Sequence, residues 1–465
     1  MSNRNSRGGL AVVAVLSLGM ALTGCSGSTV NNNSGGATSG ATSAGAGASG
    51  AASGSGAASG GASGGGSDYT GPNVTISFWN GWTGGNAPVL VPKLIDQFNS
   101  EHKNIVVKDV PMQWGDIAAK MPLAIKAGSG PDVSVAHGDD IATYAAQGLL
   151  LKADDTVKSL GYSEADFPPG LMKAGSFGGA QYAIPWSVTP LGFYVNEDVL
   201  KQGGLDATAI PTDKAGYLKA LDALKAKGIQ GDWTDGYVFT GTFEFESLLW
   251  QFGGQLYSDD VSKATFNSDA GVQALTFMTD MVKNGYSPAN VAQDGNINAL
   301  VSSKNAFNWN GIWQTTNPAL QKVKWTAVAV PQVGTQKAVW SSSTHWMFMN
   351  NKGQDKNKTQ AAAVFVKWMN DHSAGWASTG ELPANNKVRN DPALTQKYPA
   401  LKPFLGELEY AHFETASPGI SNANAQITVA VNEAVTGKKS AKQALDDAAA
   451  KADQLLAQNK SQYGG

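Results

Sequence analysis

Two close pairs of carboxylates, Asp139 with Asp140 and Glu244 with Glu246, are the side chains whose types could support acid–base chemistry. A glycoside hydrolase needs two carboxylates about 5 to 10 Å apart, and nothing in the spacing of these four marks such a pair. The globular part contains no Gly-x-Ser-x-Gly element of the kind found in serine hydrolases. The histidines are isolated and lack the spacing of metal ligands; they are His102, His137, His345, His372 and His412. We therefore expect a protein that is not an enzyme and that needs no cofactor or metal.

The aromatic and cationic side chains indicate what the chain could bind instead. It has 13 tryptophans, whereas its arginines are limited to Arg4, Arg7 and Arg389. Because guanidinium groups are common partners of phosphate, sulfate and carboxylate, the chain is poorly equipped for anionic ligands, although lysines and backbone amides could serve. Tryptophans provide flat apolar surfaces for stacking, but each could equally be a core residue, as we expect for Trp250. The net charge of -3 does not favour nucleic acid as a partner.

The N-terminal segment indicates export. Arg4 and Arg7 precede an apolar stretch, residues 10–22, that is too short to span a bilayer. The stretch ends in Leu22-Thr23-Gly24-Cys25, which resembles the lipobox of bacterial lipoproteins, whose cysteine is acylated and becomes the first residue after cleavage. An ordinary secretory signal with an incidental cysteine is the alternative. We predict a signal peptide over residues 1–24 and a lipid anchor at Cys25 that holds the protein on the extracytoplasmic side of the cell membrane.

Residues 25–67 predict a linker. After Cys25 this segment consists almost wholly of Gly, Ala, Ser, Thr and Asn. Such a composition buries too little apolar surface to offset the entropy lost on ordering. A Gly/Ser-rich chain of this length spans roughly 36 Å, enough to hold a globular body clear of a membrane. A stalk for surface display is the alternative that composition leaves open.

The remaining ~400 residues are long enough for two domains. Strands alternate with helices in the first part, with strands predicted over residues 74–79, 105–110 and 132–136. This order predicts a parallel sheet covered on both faces, whose ligands bind at the carboxyl ends of the strands. The loops 80–85 and 137–140 lie at those ends. A second α/β region begins near Tyr182, and residues 423–458 form a helical stretch with a break at 436–439.

The order of several short motifs resembles the family 1 extracellular solute-binding proteins, the sugar receptors of ABC importers. The motifs that carry the resemblance are Ala127-Gly128-Ser129-Gly130-Pro131-Asp132-Val133, Gln147-Gly148-Leu149-Leu150, Tyr182-Ala183-Ile184-Pro185, Tyr194-Val195-Asn196-Glu197-Asp198, Asn310-Gly311-Ile312-Trp313, Trp346-Met347-Phe348 and Gly380-Glu381-Leu382-Pro383-Ala384. Each motif is weak alone, but together they span nearly the whole chain from Val74. The resemblance implies a periplasmic-binding-protein-like α/β fold, in which two lobes joined by a hinge close on a ligand in the cleft between them.

Mapped onto this sequence, lobe one would hold residues 68–183 and 340–378, and lobe two residues 185–338 and 380–465. A closed, liganded form differs in shape from an open one, which a permease can detect. The resemblance therefore implies a monomeric receptor that captures a neutral sugar, an oligosaccharide rather than a monosaccharide, and delivers it to separate permease subunits. A receptor for a non-sugar polar solute and an exported glycan hydrolase are the competing functions, and a surface adhesin is a third class.

A sugar site needs aromatic surfaces for the C–H faces of the rings and polar side chains for the hydroxyl groups. The resemblance places the ligand contacts at Trp82, Thr83, His137, Asp139, Asp140, Trp186, Thr189, Phe243, Glu244, Trp309, Trp313, Ser342 and His345. The choice between Asp139 and Asp140 stays open, because either could cap the following helix. Thr189 stands where maltodextrin binders have a carboxylate, which argues against a maltodextrin ligand.

Overall fold

The computed structural model describes residues 69–208, 210–237 and 240–464. The predicted signal peptide, Cys25 and the linker lie outside these residues. The strands, in chain order β1 to β11, are Val74–Asn80, Ile105–Pro111, Val133–His137, Ser176–Phe177, Ala180–Gln181, Ala183–Asn196, Phe307–Gly311, Trp325–Val328, Val339–Phe348, Leu382–Pro383 and Ala411–His412. The helices, α1 to α16, are Ala87–Glu101, Trp114–Lys126, Gly138–Ala146, Asp154–Ser159, Leu171–Ala174, Glu197–Gln202, Lys214–Lys225, Gly241–Gln251, Asp269–Lys283, Gly295–Val301, Lys356–Asp371, Asn386–Arg389, Pro392–Lys397, Lys402–Leu405, Ile420–Val435 and Ala441–Tyr463.

The first three strands form the parallel sheet that the sequence predicts. β1 lies between β2 and β3, with Val74 opposite Ile105 and Phe78 opposite Val133. The sheet continues beyond β3 with β9, β6 and β10, in the order β10-β6-β9-β3-β1-β2, and these further pairs are antiparallel. The loop after β1 and the start of α3 therefore lie at carboxyl ends of neighbouring strands, as the strand–helix alternation indicates.

The long strand β6 belongs to two groups of strands. All 14 of its residues are buried. Its first part, from Ala183 to Pro190, pairs with β9, whereas Leu191 to Val195 pair with β7 and Phe193 to Asn196 pair with β8. The strand passes from one hydrophobic core to the other along its length, because Ile184 and Val188 pack in the core of β1 and α1, and Leu191 and Phe193 in a second core.

The second core is covered mainly by helices. It joins the last part of β6 to α7, α8, α9 and the C-terminal pair α15 and α16. The predicted break in the C-terminal helical stretch lies between Val435 and Ala441, where Gly437 adopts a positive φ of 73° and the Ser440 hydroxyl accepts a hydrogen bond from the backbone of Gln443. None of the helices in the described ranges is long and apolar enough to cross a bilayer.

Candidate functional site

A cavity of about 1180 Å³ is lined by residues from both groups of strands. β6 contributes Thr189, β7 contributes Asn310, and β9 contributes Trp340, Ser342 and Thr344 to its wall. Further lining residues come from α3, α8, α15, the segment 413–415, and Gly236, Tyr237 and Thr240 before α8. The cavity therefore lies where the two parts of the fold meet, beside the strands that pass between the two cores.

Aromatic rings line much of the cavity. Phe243 and Trp340 stack on each other, with ring centroids 3.6 Å apart. Trp313 lies over the backbone of Gly311, where a Cβ atom would come within 2.0 Å of its ring. Tyr237, Trp250 and Phe413 complete the aromatic lining. These flat apolar surfaces are suited to the C–H faces of sugar rings.

Glu414 is the most heavily hydrogen-bonded carboxylate of the cavity wall. Its Oε1 atom accepts hydrogen bonds from the Ser342 hydroxyl at 2.5 Å and from the Ser343 backbone N–H at 2.9 Å. Its Oε2 atom accepts a third from the Ser343 hydroxyl at 2.8 Å. Burial and the charge of Asp139 raise the pKa of Glu414 to about 7 in spite of these hydrogen bonds. The carboxylate is thus fixed in position as an acceptor at the cavity wall.

Glu246, on α8, is a deeply buried carboxyl group of the same wall. It is 5% exposed. Burial, with the charges of Glu414 and Asp139 as further causes, raises the pKa of Glu246 to about 8. Asp139 lies in the first turn of α3, and its Oδ2 atom accepts a hydrogen bond from the Ser421 hydroxyl at 3.3 Å. Three carboxyl groups from separate segments therefore interact electrostatically within one cavity.

Asp235 organises the wall that Tyr237 and Thr240 contribute. Its Oδ2 atom accepts a hydrogen bond from the Thr240 hydroxyl at 2.5 Å, and its Oδ1 atom accepts bonds from the backbone N–H groups of Tyr237 and Gly241, each at 3.1 Å. Burial raises its pKa to about 6. The carboxylate thus satisfies backbone donors before and at the start of α8 and orients the Thr240 side chain.

Six of the residues predicted to contact a ligand line the cavity together: His137, Asp139, Thr189, Phe243, Trp313 and Ser342. They come from β3, α3, β6, α8, the turn after β7, and β9, so they are distant in sequence. The structure favours Asp139 over Asp140 as the group that faces the cavity. Asp140 is half-buried beside Tyr144, and burial raises its pKa to about 7.

Trp82 and Trp186 lie instead in a cluster of four tryptophans in the first core. The Trp82 ring centroid is 5.6 Å from that of Trp186, 5.5 Å from that of Trp346 and 4.6 Å from that of Trp376. Trp82 is 6% exposed and Trp186 is 1% exposed. Thr83, the residue after Trp82, is half-buried and lies outside the cavity lining. The loop after β1 thus turns its large ring into the core.

The other predicted contacts are buried behind the cavity wall. Glu244 is buried outside the cavity lining, and burial, with the charges of Asp232 and Asp235 as further causes, raises its pKa well above the usual range. Trp309 is 2% exposed and packs edge-on against Phe193.

His345 is fully buried, and its Nε2 atom lies 2.9 Å from the Ser343 hydroxyl. Burial lowers its pKa to about 3, so the imidazole is neutral. It supports Ser343, which binds Glu414, from behind the cavity wall.

The structure also brings to the cavity residues that the sequence interpretation missed. The main ones are Glu246, Trp340, Glu381, Glu414 and Asn310. Trp250, expected only in the core, is 4% exposed but also lines the cavity and stacks on His412, with ring centroids 4.4 Å apart. Trp340 is the first residue of the predicted lobe-one segment 340–378, and Asn310 belongs to one of the motifs that carry the family resemblance, so the sequence held a signal for both. The sequence held no signal for Glu414, because the segment around it contains no motif.

The cavity is rich in carboxyl groups. Its acidic lining residues are Asp139, Asp294, Glu246, Glu381, Glu414 and Glu433. Lys438 is the one lysine in the described lining, which includes no arginine. No group of three or more His, Cys, Asp or Glu side chains within the described ranges could hold a metal ion. The cavity therefore disfavours anionic ligands.

Comparisons with known proteins agree on one family and one fold. The model of the family described as bacterial extracellular solute-binding protein matches residues 93–403. The galactooligosaccharide-binding protein of Bacillus subtilis (strain 168) is 24% identical over 379 residues, which cover 76% of this chain and 83% of the relative. The sn-glycerol-3-phosphate-binding periplasmic protein UgpB of Shigella flexneri serotype 5b (strain 8401) is 24% identical over 412 residues, covering 82% and 92% of the two chains.

The crystal structure of the cyclic alpha-maltosyl-1,6-maltose binding protein from Arthrobacter globiformis superposes with a TM-score of 0.73 at 23% identity. The match covers 83% of this chain and 99% of that chain. The predicted fold class, a periplasmic-binding-protein-like α/β fold with two lobes, is thereby confirmed.

Proposed function

Because the chain belongs to the bacterial extracellular solute-binding proteins, we propose that it captures an oligosaccharide built of uncharged sugar units outside the cytoplasmic membrane and delivers it to an ABC permease. Membership in a family of solute-binding proteins supports binding without catalysis. The galactooligosaccharide-binding relative and the cyclic maltosyl-maltose-binding structure support a sugar ligand by analogy.

The observation that carries the proposal is the cavity itself. Its aromatic lining provides surfaces for sugar rings, and its carboxylates, amides and hydroxyls can accept or donate hydrogen bonds around the ring edges. Its volume of about 1180 Å³ exceeds the range of roughly 300 to 1,000 Å³ typical of drug-sized ligands. A single sugar ring would leave much of this space filled only with water, which favours an oligosaccharide.

The charge of the cavity favours a sugar over a phosphorylated solute. UgpB, named for sn-glycerol-3-phosphate, represents the non-sugar alternative among the relatives. A phosphate group inside this cavity would face six acidic lining residues with Lys438 as the compensating cation. Like-charge repulsion of this kind is an effective means of rejecting a ligand. We therefore favour a ligand without phosphate.

The arrangement of the receptor follows from the sequence. We propose lobe one as residues 68–183 with 340–378, and lobe two as 185–338 with 380–465, because β6 and β9 contact both cores near those boundaries. The site residues would then close on the ligand from both lobes. We propose that Cys25 carries the lipid anchor and that the receptor works as a monomer beside the permease.

A thermal-shift screen of the purified protein tests the proposed function. Neutral monosaccharides, neutral oligosaccharides and sn-glycerol 3-phosphate are compared, because a ligand at 100 times its dissociation constant adds about 2.7 kcal/mol to the free energy of unfolding. We expect a shift with one series of neutral oligosaccharides and none with the phosphate. A shift with sn-glycerol 3-phosphate alone, or release of shorter sugars from a bound oligosaccharide, would contradict the proposal.

A further inference from the structure

We propose that the cavity contains a subsite for a protonated amine, bounded by Asp139, Glu246 and Glu414, so that the preferred oligosaccharide carries an amino group on at least one of its otherwise uncharged units. This inference rests on the proposed function and names the substrate class more closely. It depends on three features of the cavity: where the carboxyl groups come from, how two of them are fixed, and what the third lacks.

The three carboxyl groups reach one region from separate segments of the chain. Asp139 lies in α3, Glu246 in α8 and Glu414 in the segment after β11. All three line the cavity. The charges of Glu414 and Asp139 both act on Glu246, and the charge of Asp139 acts on Glu414. Mutual repulsion of this kind in a partly enclosed cavity is relieved when a cation binds among the groups.

Asp139 and Glu414 are held in position by hydrogen bonds. Glu414 accepts three hydrogen bonds from Ser342 and Ser343. Asp139 accepts one from Ser421 and lies at the N-terminus of α3, where the helix dipole favours an anion. Both groups are therefore held in place at the cavity wall without help from a ligand.

Glu246 is the group that lacks a partner. It is 5% exposed, and burial and carboxyl charges raise its pKa with no hydrogen bond from the described residues to lower it. Burying a carboxyl group without a hydrogen bond or an opposite charge is costly. The side chain lines the cavity, so a ligand that enters the cavity can supply the missing donor. An ammonium group supplies both the hydrogen bonds and the charge.

The other titratable groups around these three carboxyls do not supply that cation. Tyr257 lies close enough to Glu246 for its own pKa to be raised by that carboxyl, and it donates its hydroxyl proton to Asn424. His345 lies behind Ser343 and is neutral. Elsewhere in the lining the titratable side chains are His137, Tyr237, Asp294, Glu381, Glu433 and Lys438. Lys438 is the lysine among them, but the charges that act on Glu246 and Glu414 are those of carboxyl groups. Glu433 ion-pairs with Lys439.

The protonation state of Glu246 gives the subsite a measurable signature. Its pKa of about 8 keeps it protonated in the empty cavity at pH 6.5. An ammonium group that binds beside it stabilises the carboxylate, so the proton leaves Glu246 for the solvent. A neutral sugar brings no charge and releases no proton. Glu414, with a pKa of about 7, is also mostly protonated at this pH, so binding of a sugar whose amine is already protonated releases about one to two protons.

Calorimetry at pH 6.5 with two matched trisaccharides tests the subsite. Cellotriose and the β-1,4 trimer of glucosamine differ only in a hydroxyl or an ammonium group at each C2 position. We expect the glucosamine trimer to bind at least about tenfold more tightly. Titrations in two buffers with different ionisation enthalpies measure the released proton. Glu246→Gln should remove the preference and reduce the proton release by about one proton, while Glu164→Gln, at an exposed glutamate outside the cavity, should leave both unchanged.

The outcomes separate this inference from the proposed function. Equal or weaker binding of the glucosamine trimer, while any neutral oligosaccharide binds, overturns the amine subsite and leaves the sugar receptor standing. Preference for the amine that persists in a folded Glu246→Gln protein also overturns it. Failure of all the tested sugars, amine-bearing or neutral, overturns the proposed function itself. The melting temperature of each variant shows that it is folded before its affinity is compared.

Discussion

The rings of Phe243 and Trp340 stack in parallel, with their centroids 3.6 Å apart and an interplanar angle of 8°. Ser247 fixes the two elements that carry them. Its hydroxyl donates to the backbone oxygen of Phe243 at 2.8 Å and accepts from the backbone N–H of Trp340 at 2.9 Å. Trp340 is 7% exposed and Phe243 is half-buried, so Phe243 presents the larger surface and Trp340 supports it.

We expect Phe243→Ala to weaken binding of the oligosaccharide by about 1 to 3 kcal/mol, because a stacked aromatic ring buries a large apolar surface against a ligand. Calorimetry with the sugar identified by the thermal-shift screen measures the loss. Phe243→Tyr keeps the ring and should retain most of the affinity. If the alanine variant is folded and binds as tightly as the unchanged protein, the stack is not part of the binding surface.

Gly311 should matter for binding through Trp313. A Cβ atom at this position would lie 2.0 Å from the Trp313 ring, so Gly311→Ala must displace the ring from its place in the cavity. We expect a loss of affinity similar to that of Trp313→Ala, about 1 to 3 kcal/mol. Gly115→Ala is the matched control, because a Cβ there meets no atom within 4 Å. If Gly311→Ala keeps full affinity while Trp313→Ala loses it, the displaced Trp313 ring must still contact the ligand.

Trp82→Ala should reduce stability rather than affinity. The ring packs within 4.6 to 5.7 Å of Phe78, Trp186, Trp346 and Trp376. Its removal leaves a large cavity in the first core, which costs about 3 to 5 kcal/mol in the free energy of unfolding. Chemical denaturation measures this loss, and calorimetry below the melting temperature measures binding. A stable variant that fails to bind the ligand would show that Trp82 contacts the ligand, as the family resemblance implies.

Trp82 shows what the sequence could predict and what it could not. Strand–helix alternation predicted the parallel arrangement of β1, β2 and β3, and the motifs predicted where each loop lies relative to the cleft. Neither signal specifies the direction of a side chain in a loop without regular repeat. Trp82 could therefore be placed in the right loop, but its orientation toward the core depends on Trp186, Trp346 and Trp376, which come from distant parts of the chain.

Glu246 and Glu414 show why the sequence could not identify all the polar residues of the site. The sequence shows Glu246 only as one of two acidic residues on α8, with Glu244, and helix periodicity does not say which of them faces a cavity. Glu414 reaches the site because β11 pairs with β9, at Ala411 opposite Val339. A two-residue strand of this kind leaves no periodic pattern. Tertiary packing determines which residues so far apart in sequence come into contact. The composition of the sequence and the spacing of its motifs do not predict that packing.

Stability should fall as the pH rises from 6.5 to 8.5. Folding raises the pKa of Glu246 to about 8 and that of Glu414 to about 7. The folded state then holds protons that the unfolded chain has already lost, so the stabilisation present at low pH is lost as the pH rises through these values. The contribution of Glu246 over this range is about 2 kcal/mol. Thermal melts without ligand, at several pH values, measure the trend.

Glu246→Gln tests whether ionisation of Glu246 causes this loss of stability. The amide cannot ionise, so the variant should lose less stability than the unchanged protein between pH 6.5 and pH 8.5. Glu164→Gln, at an exposed position, should follow the unchanged protein. A melting temperature that stays constant or rises over this range would contradict the burial of these carboxyl groups in the empty cavity.

His345 should produce the opposite dependence on the acid side. Burial, with a smaller effect of His137, lowers its pKa from 6.5 to about 3. The unfolded chain therefore takes up a proton below pH 6.5 that the folded state excludes, and the stability that the neutral imidazole contributes is lost as the pH falls toward 3. His345→Gln keeps an amide within reach of the Ser343 hydroxyl but cannot be protonated. Between pH 6.5 and pH 4.5 the free energy of unfolding of the variant should fall by about 2 kcal/mol less than that of the unchanged protein, measured by chemical denaturation.

His102→Gln is the control variant, since His102 lies at the end of α1 and is only half-buried. Parallel curves for the His345→Gln and unchanged proteins would mean that the imidazole takes up its proton in the folded state, and that Ser343 and Glu414 are held without a neutral histidine behind them.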